Sequence, residues 1–356
     1  MSRFLADSMR TLAPYTPGEQ PQGMEKLIKL NTNENPYPPA PGVIAALDAR
    51  AAADLRLYSD PACKTFLAAL ARTLHLDPAQ VFAGNGSDEV LAFAFRAFCG
   101  RGAAFPDVTY GFYPVFARMF GVAYEEVPLR ADFSVAPADY AGRAGTVFLA
   151  NPNAPTGMAL SPADIETLLR QDRDRLVVVD EAYVDFGGES VVPLLDAYDN
   201  LLVVGTFSKS RSLAGARLGY AAGSRALIAE LNTVKYSFNP YNINRLTLAA
   251  GTAALADPDY FSRCCAEVCA VRAQTAAKLA ALGFRLTDSR ANFLFAAPPA
   301  PHTGAEYYAM LRENGILVRH FDAPRTTNFV RITIGTKQQM DTLLAVTGQW
   351  LKGAGT

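Results

Sequence analysis

The sequence predicts an α/β fold, with a large domain built on a mostly parallel sheet covered by helices and a smaller α+β domain after it. Continuous Val- and Leu-rich runs occur at 81–84, 145–150, 175–180 and 200–205. Such runs are typical of strands buried on both faces. Helical spacing between several of them favours parallel strands. The length of 356 residues, half of them hydrophobic, suits one large domain plus a smaller one.

The elements of the first part follow a regular order. Residues 1–40 are rich in Pro, Asn and Tyr, so we expect an irregular arm that joins the small domain. Helical spacing predicts helices over 42–55 and 64–76, and another helix begins at the polar turn 84–89, directly after the first strand. We expect the large domain to span 41–248.

The pattern changes after about residue 250, where a long helical segment covers 257–284. Shorter segments follow it: apolar runs at 292–297, 316–321 and 329–335, a helix near 304–315 and a final helix. These segments predict a small C-terminal domain over 249–356.

Composition narrows the function classes. The net charge is −1, from 33 basic and 34 acidic residues, which argues against nucleic acid or an anionic membrane as a partner. The chain shows no signal-peptide core and no apolar stretch near the roughly 20 residues that cross a bilayer, so we expect a cytoplasmic protein. Five cysteines and three histidines without ligand spacing predict neither a disulfide framework nor a metal site.

Polar clusters follow the predicted strands, and the first is GNGSDE at 84–89. Gly86 permits a tight turn and close backbone approach, and Ser87 is placed to cap the helix. The free N–H groups of a helix start favour an anion, so the turn, with Asp88, is a candidate phosphate cup. An ordinary serine-capped helix is the alternative.

A second cluster lies where the run 175–180 ends. Asp180 closes the run and Tyr183 follows three residues later. A buried acid is costly unless it is paired. The carboxylate therefore either holds a cationic ring nitrogen or serves as a helix cap or ion-pair partner.

Lys209 lies just past another buried run, with Arg211 and Arg217 close behind it. Burial and nearby cations favour the neutral amine, which is the nucleophilic form of a lysine. A solvated loop lysine is the alternative. Together, a phosphate anchor, a carboxylate for a ring nitrogen, an aromatic ring and a nucleophilic lysine are what pyridoxal 5'-phosphate requires.

The motifs, in order along nearly the whole chain, resemble those of the fold-type I pyridoxal-phosphate aminotransferases of class II, and among them the histidinol-phosphate aminotransferases. The motifs that carry the resemblance are LNTNENPYPP, GNGSDEVL, DVTYGFYPV, DEAYVDF, TFSKSRSLAGARLGY and FVRITIGT. The resemblance implies a homodimer in which Tyr58 reaches the phosphate of the neighbouring subunit's cofactor.

The resemblance also assigns roles within one site. It implies that Lys209 condenses with the cofactor, that Asp180 holds the ring nitrogen, and that Tyr183 bonds the ring oxygen. The phosphate and ring contacts it implies are Gly86, Ser87, Asp88, Ser208 and Arg217 for the phosphate and Tyr110 for stacking on the ring.

The substrate end follows from the same resemblance. Arg331 matches the arginine that holds the anionic group of the substrate. Histidinol phosphate brings its phosphate to that place, so Arg319 and Tyr15 are expected beside it, with a surface ion pair as the alternative for Arg319. The implied reaction is amino transfer between L-histidinol phosphate and glutamate/2-oxoglutarate in histidine biosynthesis.

Other activities share these motifs. An aromatic amino acid aminotransferase and an O-phosphothreonine decarboxylase of the same fold are the alternatives. A non-catalytic regulator would need an added DNA-binding domain. The chain departs from the family in one place: Ala154 stands where the family has an asparagine that bonds the ring oxygen. Asn153 is the expected replacement, with Asn151 or Tyr183 as the alternatives.

Overall fold

The structure is a computed structural model that describes residues 3–6, 9–10, 12–20 and 27–353. The strands are β1 Ile28–Lys29, β2 Val81–Gly84, β3 Ala103–Pro106, β4 Tyr124–Val127, β5 Thr146–Ala150, β6 Val177–Asp180, β7 Leu201–Thr206, β8 Gly219–Gly223, β9 Arg285–Leu286, β10 Phe293–Ala297, β11 Ile316–Leu317, β12 Arg319–His320 and β13 Val330–Thr333. The α-helices are α1 Pro41–Ala46, α2 Ala49–Ala53, α3 Lys64–Leu74, α4 Gly86–Phe98, α5 Tyr113–Phe120, α6 Pro162–Gln171, α7 Arg225–Phe238, α8 Arg245–Leu255, α9 Pro258–Ala281, α10 Gly304–Glu313 and α11 Lys337–Gly353.

The large sheet has seven strands in the order β2-β8-β7-β6-β5-β3-β4. Strands β7, β6, β5, β3 and β4 are parallel neighbours, whereas β8 is antiparallel to both β7 and β2. The predicted mostly parallel sheet is therefore confirmed. The carboxyl ends of β5, β6 and β7 meet at one edge, where ligands of such sheets bind.

Both faces of this sheet are buried, as the apolar runs predict. Val177 and Val179 of β6 pack into the core on one face, and Val178 between them packs into the core on the other. The alternation follows from the period of two of a strand. Helices cover each face, which explains why the three residues Val177–Val179 are all apolar.

A four-stranded antiparallel sheet, β12-β13-β10-β9, follows in the chain. The strand β1 pairs in parallel with β11, so residues 28–29 of the predicted arm join the last third of the chain. The domain boundaries at 40 and 248 remain predictions.

The helix predicted over 42–55 is interrupted. Leu47 ends α1, and the Asp48 carboxylate accepts a hydrogen bond from the Ala51 amide at the start of α2. A side chain that caps a helix competes with continuation of the helix before it.

Among the described residues, no helix has both the length and the apolar character needed to cross a bilayer.

Candidate active site

A cavity of about 390 Å³ opens at the carboxyl ends of β5, β6 and β7. Most of the residues expected at the site lie around it. Its walls include Gln20, Thr32, Glu34, Ser87, Asp88, Tyr110, Ala150, Ala154, Asp180, Tyr183, Thr206, Ser208, Lys209 and Arg217. The structure thus brings together side chains from the N-terminal segment, the helix α4 and three strand ends.

Lys209 lies three residues beyond β7 and is half-buried. Its Nζ donates to the Thr32 carbonyl oxygen at 3.3 Å and lies 5.7 Å from the centre of the Tyr183 ring. Arg211, expected to act beside the lysine, turns to the other side, where it donates to the Ala254 carbonyl oxygen at 2.9 Å and lies over the Phe261 ring. These contacts attach the loop after β7 to α8.

The start of α4 forms a cup that suits an anion. The helix begins at Gly86 after Asn85, and no side chain caps its first amides, so these donors are available. The predicted cap by Ser87 is wrong because Ser87 lies within the first turn and faces the cavity. Arg217 covers the turn so closely that a Cβ at Gly86 would lie 2.6 Å from its Nη2.

Arg217 and Ser208 complete the same cup. Arg217 donates to the Asp88 carboxylate at 3.2 Å, and Asp88 also accepts from the Tyr110 hydroxyl at 2.6 Å. Burial and the Asp88 carboxylate raise the pKa of Tyr110, so its ring is neutral. Ser208, which accepts a hydrogen bond from the Thr206 hydroxyl, also lines the cavity.

Asp180 is buried at the end of β6. Burial raises the pKa of this carboxyl to about 7, although the Ala182 amide donates to it at 3.1 Å. Tyr113 donates to the other oxygen at 3.4 Å. No cation forms an ion pair with Asp180 among the described residues, so the group lacks the partner that would stabilise its charge.

Arg331 is a cation without an acidic partner within the described part of the chain. Its guanidinium carbon lies 5.4 Å from the centre of the Phe293 ring and 5.5 Å from that of Phe321. Nη2 donates to the Asn31 carbonyl oxygen at 3.1 Å, whereas Nε is buried with no partner. Burial lowers the pKa of Arg331. A shielded cation with an unused donor is suited to an anionic ligand.

Arg319 and Tyr15 lie close to this arginine. Arg319 donates to the carbonyl oxygens of Thr16 and Pro17, at 3.1 Å and 3.4 Å, which fixes the segment that carries Tyr15. Tyr15 stacks on Phe112 with ring centres 4.3 Å apart. After burial, the positive charge of Arg319 also lowers the pKa of Arg331, and Arg319 and Arg331 face each other in the β12–β13 ladder, so with Tyr15 they form one end of the site.

Two of the predicted site residues do not line the cavity of their own chain. Asn153 does not reach the cavity, because its amide donates to the Val108 carbonyl and the Thr156 hydroxyl and accepts from Thr109. Ala154 faces the cavity in its place. Tyr58 lies outside the cavity of its own chain, stacked on Tyr241 at 4.5 Å and 79% exposed.

Sequence reasoning overlooked several neighbours of the site. Thr32, Asn33 and Asn35 each contact a predicted site residue, and Tyr113 bonds Asp180. Three asparagines in NTNEN were a usable signal, because amides concentrated beside a buried segment need partners. Nothing in the local sequence indicates that the rings of Phe293 and Phe321 contact Arg331.

The donor set fits pyridoxal phosphate. An uncapped helix start with Arg217 suits the phosphate, the unpaired Asp180 suits a cationic ring nitrogen, and Lys209 lines the same cavity. A parallel sheet with a lysine just past a strand end and these groups around it defines a pyridoxal-phosphate enzyme.

Comparison with known proteins gives the family. The sequence model of the family "Aminotransferase class I and II" matches residues 25–346 of this chain. The chain is 51% identical to histidinol-phosphate aminotransferase 2 of Dechloromonas aromatica, over 98% of this chain and 100% of that one. This chain therefore belongs to the class I and II aminotransferases.

Solved structures share its fold. The histidinol-phosphate aminotransferase of Sinorhizobium meliloti, in complex with pyridoxal-5'-phosphate, has a TM-score of 0.86 at 24% identity, covering 99% of both chains. The L-threonine-O-3-phosphate decarboxylase of Porphyromonas gingivalis has a TM-score of 0.78 at 22% identity, covering 92% of this chain and all of that one. The predicted fold class is confirmed, and the fold alone does not separate transfer from decarboxylation.

Proposed function

We propose that this chain uses pyridoxal phosphate to transfer an amino group between L-histidinol phosphate and 2-oxoglutarate, a step of histidine biosynthesis. The observation that carries the proposal is the partly buried Arg331, which has no acidic partner within the described residues and has Arg319 beside it in the β12–β13 ladder. Two cations suit a substrate phosphate. The near-full-length likeness to curated histidinol-phosphate aminotransferases supports the same choice.

The residues around the cavity are proposed to hold the cofactor by its charged groups. The first amides of α4, with Ser87, Ser208 and Arg217, bind the phosphate. Asp180 pairs with the ring nitrogen, and Tyr110 packs against the ring. When bound, pyridoxal phosphate supplies an aldehyde that joins an amine and a ring that withdraws electrons from the adjacent carbon.

The catalytic work of the chain is proton transfer and orientation. With the cofactor bound, Lys209 would move a proton between the amino-bearing carbon of the substrate and the aldehyde carbon of the cofactor. The Thr32 carbonyl holds the lysine nitrogen on the cavity side in the free enzyme. Asp180, in its ionised form, keeps the ring nitrogen protonated, because an anion beside a cationic nitrogen favours its charged form.

The arginine pair Arg331 and Arg319 is proposed to bind the anionic groups of two unlike substrates. Glutamate places a carboxylate, and histidinol phosphate a phosphate, on Arg331. Arg319 adds a second positive charge, which contributes more to the binding of the phosphate than to that of the carboxylate. Tyr15, held by the segment that Arg319 fixes, covers this end of the site.

We further propose a homodimer with shared sites. Tyr58 and Phe238 are 79% and 76% exposed, and Ile44 and Leu55 are exposed as well. A largely apolar groove of about 640 Å³ between α1, α2, α3 and α8 lies in the same region. Apolar surface of this kind marks an interface, and a second copy of the chain would bring Tyr58 to its neighbour's cup.

Mixing two inactive variants tests the shared site. Lys209→Ala and Tyr58→Ala proteins are combined under exchange conditions. If Tyr58 acts across the interface, each mixed dimer contains one intact site and activity returns. If activity does not return although mixed dimers form, Tyr58 acts within its own chain and the shared site is refuted.

We propose the cytoplasm as the location of the protein. All five cysteines are free thiols, four of them buried. Unpaired thiols are typical of a reducing compartment. Fractionation of cells that express the tagged chain tests this, and recovery in an oxidising compartment would contradict it.

A half-reaction panel tests the activity. The cofactor-loaded protein is mixed separately with histidinol phosphate, glutamate, phenylalanine and O-phosphothreonine, and loss of the visible cofactor band is timed. We expect reaction with histidinol phosphate and glutamate, and none in Lys209→Ala. Faster reaction with phenylalanine would replace the proposal by an aromatic aminotransferase. Release of carbon dioxide from O-phosphothreonine would indicate the decarboxylase.

A further inference from the structure

The segment 31–35 touches three separate parts of the site. The Asn31 carbonyl accepts from Arg331, and the Thr32 carbonyl accepts from Lys209. The Asn35 amide donates to the carbonyl oxygens of Lys209 and Ser210, at 3.1 Å and 3.2 Å. Between them, the Asn33 amide donates to the Tyr183 hydroxyl at 2.9 Å. The segment has no α-helix or β-strand of its own, so these contacts hold it in place.

Asn33 is fixed from several sides. It is buried, and its backbone has a φ of 57°, in the left-handed region that asparagine tolerates. The Thr333 hydroxyl accepts from its backbone N–H and donates to its side-chain oxygen. Asn292 donates to its carbonyl oxygen at 3.0 Å. With the side-chain oxygen engaged by Thr333, the NH₂ group is left to face Tyr183.

The orientation of this amide determines what Tyr183 offers to the cavity. A hydroxyl that accepts a hydrogen bond from Asn33 keeps its own proton for another acceptor. The loop beside it provides no competing side-chain amide, because Ala150 and Ala154 face the cavity while the Asn153 amide donates to the Val108 carbonyl and the Thr156 hydroxyl. Asn151 is likewise engaged with Leu160.

We infer that Asn33 is a positioning residue that sets the Tyr183 hydroxyl as the donor to the ring oxygen of the cofactor, on a side of the site where Ala154 supplies none. The inference rests on the proposed cofactor chemistry. It assigns to this chain an amide–hydroxyl relay in which Asn33 itself does not contact the ligand.

The readout is the pH midpoint of the visible band of the cofactor-loaded protein. The ring oxygen keeps its negative charge when the nitrogen that Lys209 contributes loses its proton, so a donor on that oxygen favours the deprotonated form. Asn33→Gly removes the amide but suits the positive φ. We expect its midpoint to rise by about one pH unit, the size of one hydrogen bond to a charged group.

A double-mutant cycle separates this role from a structural one. In a Tyr183→Phe background, Asn33→Gly should leave the midpoint unchanged, because the hydroxyl on which Asn33 acts is absent. An equal rise in both backgrounds, or no rise in the wild-type background, would overturn the inference. If Asn33→Gly does not fold, Asn33→Ser is used in the same cycle, because its shorter side chain removes the amide donor to Tyr183 without adding a charge. Absence of any visible band in the wild-type protein would refute the proposed function instead.

Discussion

Asp180 gives the stability of the cofactor-free protein a specific pH dependence. Burial raises the pKa of this carboxyl from 3.8 to about 7 in the folded state, whereas it stays near 3.9 in the unfolded chain. Below about pH 4 both states carry the proton and the group has no effect. As the pH rises toward 7, the unfolded state ionises first, so folding becomes less favourable. Above about pH 7 the folded state ionises as well, so the free energy of unfolding falls no further from this group.

The magnitude follows from the size of the shift. Three pKa units correspond to about 4 kcal/mol, of which about 1.5 kcal/mol is already lost at pH 5. The Asp180→Asn variant lacks this titration. Its free energy of unfolding should therefore rise relative to wild type by about 2 to 3 kcal/mol between pH 5 and pH 8. Glu181, whose pKa burial raises to about 8, titrates in both proteins; the Asp180 charge is the smallest of the causes that raise it, so most of the Glu181 contribution cancels.

Urea unfolding of the cofactor-free proteins at pH 5, 6, 7 and 8 measures the difference. Asp199→Asn is the matched control, since the Asp199 side chain is 80% exposed and its variant should run parallel to wild type. Parallel curves for Asp180→Asn and wild type would refute the reasoning. Loading with pyridoxal phosphate should suppress the difference, because a cationic ring nitrogen favours the ionised carboxylate.

Three further predictions concern charge and space in the site. Arg331→Gln should raise the KM for both glutamate and histidinol phosphate about 100-fold, as expected for loss of a charged hydrogen bond; steady-state kinetics with each substrate measure it, and an effect on only one would contradict a shared anion site. Arg319→Gln should raise the KM about tenfold more for histidinol phosphate than for glutamate, and equal effects would remove its proposed selectivity. Gly86→Ala, with a φ of 77° and a Cβ only 2.6 Å from Arg217 Nη2, should cost about 1 kcal/mol of stability and about tenfold in cofactor affinity. Cofactor titration checks the latter, and unchanged affinity would show that Arg217 moves without loss.

How far the sequence predicts this fold depends on what each strand packs against. The strands β5, β6 and β7 are buried on both faces, so their apolar runs are continuous and were predicted. The strand β4 lies at the sheet edge with exposed glutamates, and β8 is a short Gly- and Ala-rich segment. Neither leaves an apolar pattern, so neither was predicted.

The site divides in the same way. Ser87, Asp180 and Lys209 lie at or just past strand ends, so local patterns placed them at one sheet edge, and the structure brings them around one cavity. The neighbours that hold them are remote in sequence: Asn33 bonds Tyr183 across 150 positions and Thr333 across 300. No local periodicity records such a contact, because only the tertiary fold creates it.

This division explains why the N-terminal segment belongs to the site although it has so little regular structure. The cup, Asp180 and Lys209 come from the large sheet, whereas Arg319 and Arg331 come from the four-stranded sheet. The segment 31–35 lies between these sheets and bonds groups from both, and β1 just before it pairs with β11, two residues before Arg319. Because each of its contacts to the site residues is long-range, the segment reaches its place in the site only when both sheets are formed. The proposed proton-transfer lysine, Lys209, and the proposed anion-binding arginine, Arg331, are therefore linked through the main-chain carbonyls of one short stretch.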